Sequence, residues 1–66
     1  MYPNLKAEMA RIGITAMELA EKIKMPYSTL VPKLNGRYDF TLTEAKQIKE
    51  TLKIDMPIEL LFMKAA

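Results

Sequence analysis

The chain contains no cysteine and no histidine. Without cysteine there is no disulfide framework and no thiolate metal site. Without histidine there are no imidazole ligands, and the commonest general base and the usual protonation switch near neutrality are missing. Glycine occurs only twice, and no glycine-rich phosphate loop is present. No apolar run nears the roughly 18 residues that a membrane-spanning helix needs. The opening Met1-Tyr2-Pro3-Asn4 does not read as a secretory signal. The acidic residues are scattered, with no pair set to raise a carboxyl pKa and no cluster of metal-ligating character. These gaps lead to the expectation of a cytoplasmic, non-catalytic protein with no cofactor, no metal and no membrane partner.

What is present is a folding composition. Half of the 66 residues are hydrophobic and 27% are charged, too apolar a balance for a disordered tail. A chain of this length makes one domain at most, expected to span 1–66. Lacking staples, it needs a well-packed helical core. Ten Lys and Arg against eight Asp and Glu leave +2, a mild excess that serves solubility and is small for a nucleic-acid footprint.

The punctuation predicts five short helices and no strand. Asn4 is placed to cap a first helix carrying Leu5, Met9 and Ile12 on one face, which Gly13 ends through the left-handed conformation. Thr15-Ala16-Met17-Glu18 is a capping box that starts a second helix, with Leu19, Ala20 and Ile23 buried. Lys24-Met25-Pro26 reads as a tight turn into a third helix, which Asn35-Gly36 stops. Thr41-Leu42-Thr43-Glu44 is a second capping box, heading a fourth helix. Asp55 is expected to cap a last short one with Pro57 in its first turn. The predicted core is Leu5, Met9, Ile14, Leu19, Ala20, Ile23, Leu30, Leu34, Leu42, Ala45, Ile48, Leu52, Ile54, Ile58, Leu61 and Phe62. Lys6, Lys22, Lys46, Lys49 and Lys53 fall on solvated faces.

The very short turn between the second and third helices has helix-turn-helix spacing. The run Gly13-Ile14-Thr15 through Leu19-Ala20 to Ser28-Thr29-Leu30 and Lys33-Leu34-Asn35-Gly36 resembles the helix-turn-helix of lambda-repressor-like (Cro-type) DNA-binding domains. Met1-Tyr2-Pro3-Asn4-Leu5-Lys6 and Phe40-Thr41-Leu42-Thr43-Glu44-Ala45 resemble a small phage-type subgroup. The resemblance covers nearly the whole chain. It implies an all-α, five-helix bundle whose third helix, about Tyr27 to Asn35, lies in the DNA major groove.

The chain departs from that family at the positions that face DNA. Ala16 stands where the family has a phosphate-contacting glutamine, Lys24 where the turn carries glycine, and Pro26 where a Ser or Thr cap opens the third helix. The reading positions are Tyr27, Ser28, Val31 and Pro32. Val31 and Pro32 offer no bidentate donor or acceptor to a base edge. Pro32 is expected either to kink the third helix or to delay its start to Ser28 or Thr29.

Two readings follow. The first takes Ala16, Met17, Met25, Pro26, Tyr27, Val31, Pro32 and Tyr38 as an apolar patch on the second and third helices that docks a partner protein, with Tyr27 as anchor. Such a chain is a repressor scaffold whose surface was evolved or redesigned for protein binding. Self-association through the same patch, giving a homodimer, is a variant of it. The second keeps the family's role, a sequence-specific DNA-binding regulator using Tyr27, Ser28, Thr29, Lys33 and Arg37. On sequence alone the apolar face ranks first.

Overall fold

A computed structural model describes residues 2–65. The described residues form five helices: α1 (Pro3–Ile12), α2 (Ala16–Ile23), α3 (Tyr27–Leu34), α4 (Leu42–Leu52) and α5 (Ile58–Leu61). Among the described residues there is no strand, so the expected all-α class holds. The Cα radius of gyration of 10.6 Å matches the roughly 10.8 Å of a well-packed chain of this length.

The helix starts follow from local chemistry. At α2 the Thr15 hydroxyl accepts from the Glu18 amide at 3.1 Å, and the Glu18 carboxylate accepts from the Thr15 amide at 3.0 Å. At α4, Thr41 and Glu44 repeat the exchange at 3.1 and 2.9 Å. Both capping boxes read from the sequence are therefore present.

Four helices end in the same way. After α1, Gly13 takes φ 82° and its amide bonds back to Ala10, while the Ile14 amide bonds to Met9. After α3, Gly36 takes φ 84°, its amide bonds to Lys33, and that of Arg37 bonds to Pro32. These paired backward bonds satisfy carbonyls that a helix end leaves open. Lys24 after α2 (φ 57°) and Lys53 after α4 (φ 54°) adopt the same left-handed turn without being glycine.

Two predicted starts are corrected. The cap position of α1 is Tyr2, with Pro3 already in the helix. Asn4 is spent elsewhere, its Nδ2 donating to the Leu60 carbonyl at 2.7 Å and tying α1 to α5. The cap position of α5 is Pro57, not Asp55, because proline's fixed φ already suits a helix entry.

One apolar cluster draws on every helix, with Leu5, Leu19, Leu30, Ile48 and Leu61 fully buried at its centre. Ile14, Leu34 and Phe62 pack on it partly buried. Leu42 does not belong to it: 63% exposed, it sits at the first turn of α4 over an open groove beside Phe40 and Ile58. Ile12, in the last turn of α1, is likewise exposed, and Ile58 is half-buried. Lys49 is half-buried, whereas Lys6, Lys22, Lys46 and Lys53 are exposed as expected.

An aromatic trio escaped the sequence reading. Tyr2, Phe40 and Phe62 meet with centroids 5.2 to 5.7 Å apart in tilted and edge-on arrangements, the geometry that aromatic quadrupoles favour. Lys64 lies over the Tyr2 ring at 5.9 Å and pairs with Asp39. The trio clamps the start of α1, the α3–α4 loop and the end of α5 together.

Candidate functional site

The α2–turn–α3 unit sets the geometry. Three residues, Lys24 to Pro26, separate the two helices. Lys24 turns the chain in the left-handed conformation, so lysine does the work for which the turn would ordinarily use glycine. Met25 is half-buried and packed on the core. The Gln47 amide of α4 donates to the Ile23 carbonyl at 3.2 Å, closing the end of α2 and fixing it to α4.

α3 starts at Tyr27 and runs through Pro32 to Leu34. Pro32 therefore does not delay the start, and neither Ser28 nor Thr29 caps the helix. Proline has no N–H, so the Ser28 carbonyl loses its partner one turn along. The helix nevertheless continues, held from below by the fully buried Leu30 and closed by the Gly36 and Arg37 amides.

The eight residues of the expected apolar patch divide evenly. Met17, Pro26, Tyr27 and Tyr38 are exposed, with Met17, Tyr27 and Tyr38 at 58, 49 and 60%. Ala16, Met25, Val31 and Pro32 are half-buried. Val31 and Pro32 stay outside the core and line a shallow hollow with Asn35, Gly36 and Arg37. The other set, Tyr27, Ser28, Thr29, Lys33 and Arg37, is exposed except for Lys33. The exposed Lys24 lies in the turn before it.

Lys33 has a partner that local patterns do not reveal. Its Nζ donates to both oxygens of Glu44 at 2.6 and 2.7 Å, with 16 and 22% of the two side chains exposed. The same Glu44 oxygen that accepts at 2.6 Å also accepts the Thr41 amide. The Lys33 hydrogen bonds, and behind them that of the Thr41 amide, hold the Glu44 carboxyl below the usual range against a partial opposing effect of burial. Glu18 is lowered chiefly by the Thr15 amide. The capping-box spacing predicts a cap role for Glu44 and no partner for Lys33. The pair spans 11 residues across a loop, a separation that neither helix nor strand periodicity links.

Among the described residues no group of acidic side chains gathers as a metal site would require, and no helix is long and apolar enough to cross a membrane. No family model, curated protein or solved structure matches the chain. The class defined by the coordinates is a small all-α bundle of five helices.

Proposed function

We propose that the chain is a helix-turn-helix module that binds duplex DNA through the exposed ridge at the start of α3. One observation carries this reading over its rival. Tyr27, Ser28 and Thr29 in the first turn of α3 are all exposed, as are Lys24 before them in sequence and Arg37 after, while Met25, Val31 and Pro32 are half-buried. Hydroxyls donate and accept, so they suit phosphate oxygens and base edges alike. The two flanking cations suit phosphates. Val31 adds at most contact with a thymine methyl. The resemblance to lambda-repressor-like domains points the same way.

With so few cations, binding is weak and depends shallowly on salt, with a log–log slope on the order of −2 for two phosphate contacts. Fluorescence anisotropy with labelled duplexes at low and moderate salt tests this. Binding that weakens with salt, and weakens further in Arg37→Ala and Ser28→Ala, is the expected result. A protein that ignores every duplex even at low salt sinks the reading.

The protein-docking reading keeps one specific observation in its favour, the exposure of Met17, Tyr27 and Tyr38. Sedimentation of the protein alone, in wild type and Tyr27→Glu, addresses it. A dimer that dissociates on that substitution indicates self-pairing through the apolar side chains rather than DNA contact.

A further inference from the structure

Lys33 is the only cation inside α3, and it lies one turn beyond exposed Thr29 on the same ridge. A lysine there could swing its ammonium to the outer face and meet a phosphate. Instead both oxygens of Glu44 hold it at 2.6 and 2.7 Å. Glu44 is itself fixed: it belongs to the first turn of α4, and its Oε1 accepts the Thr41 amide at 2.9 Å. The carboxylate is therefore pre-aligned and part-buried, where salt screens less than at an open surface.

We infer that Glu44 withholds Lys33 from DNA, so that a carboxylate on α4 sets how much positive charge α3 presents to the phosphate backbone. The inference rests on the nucleic-acid reading above and adds a determinant of affinity to it. Glu44 is a positioning residue in this scheme and touches no nucleic acid. Lys33 also braces α3 against α4, so the recognition ridge is held in place by the same pair that lowers its charge.

Glu44→Gln separates the two duties of Glu44. Glutamine at this position still accepts the cap hydrogen bond but has no charge to hold the ammonium. Duplex binding is measured against salt for wild type, Glu44→Gln, Lys33→Met and the double variant, with circular dichroism to confirm folding. Glu44→Gln is expected to bind more tightly at low salt, with a slope steeper by about 0.9. Its loss of affinity between roughly 50 and 200 mM salt then exceeds that of wild type by about 3.5-fold. Lys33→Met in the wild-type background leaves the slope unchanged, and the double variant returns to it.

If Lys33→Met alone flattens the wild-type slope by the same step, Lys33 already contacts phosphate and the inference is overturned. Equal slopes in all four proteins overturn it too, while leaving the DNA reading intact. Should none of the four bind any duplex, both fall together. Should Glu44→Gln fail to fold, Glu44→Ala takes its place in the four-way comparison, and a flattened Lys33→Met slope still overturns the inference.

Discussion

Lys24 carries a conformation that its side chain opposes. Its φ of 57° places Cβ near the following carbonyl, which costs an L-residue about 1–2 kcal/mol. The turn needs that φ because it lets the Lys24 and Met25 amides bond back to Glu21 and Ala20. Lys24→Gly removes the strain and gives back part of the gain by loosening the unfolded chain. A net stabilisation of about 0.5–1 kcal/mol is expected, read as a rise of a few degrees in the thermal midpoint. Lys24→Val, β-branched and worse in this region, lowers it. Pro32 shows the complementary tolerance: a residue that removes one ladder bond stays inside α3 because Leu30 anchors the helix and Gly36 finishes it.

The caps act on whole helices. Thr41 gives α4 its first-turn acceptor, and Thr41→Ala is expected to cost about 1 kcal/mol in a chemical denaturation series. The partner carboxylates make this stability dependent on acid. Glu18 and Glu44 both titrate below their ordinary range in the folded chain. Their contribution is therefore complete above the ordinary glutamate value of about 4.3, and it is lost as pH falls through the lower folded values. Thermal midpoints should hold steady from neutrality to about pH 5 and then decline. A variant carrying Glu18→Gln and Glu44→Gln starts lower at neutral pH and declines less on acidification. An acid limb as steep as wild type in that variant assigns the loss to other groups.

The bundle as a whole leans on a handful of side chains. Leu30 is fully buried where α3 meets the rest of the core. A buried Leu→Ala change costs about 2–5 kcal/mol, against roughly 3–5 kcal/mol for a chain of this size without staples. Leu30→Ala is therefore expected to leave much of the protein unfolded at room temperature, seen as lost helical ellipticity. If the variant keeps a sharp, barely shifted transition, α3 is not integral to the core. Such a result also removes the footing for any role of its outer ridge, since that ridge is held outward by the burial of Leu30.

Helix ends were legible because capping joins residues three apart, and Thr15–Glu18, Thr41–Glu44, Gly13 and Asn35-Gly36 all act where their spacing places them. The centre of the core was legible because residues three and four apart share a helix face, as Leu19 with Ile23 and Ala45 with Ile48 do. Periodicity failed at the margins. Leu42 continues the stripe of α4 but overhangs its end, and only the distance to neighbouring helices says where a stripe runs out of core. Packing between distant segments decided the rest. It gathered Tyr2, Phe40 and Phe62, sent Asn4 to Leu60 rather than to a cap, drew Met25 inward and gave Lys33 to Glu44. Local bonds are written in neighbouring residues, whereas the charge and grease left on the surface depend on which helices happen to stand side by side.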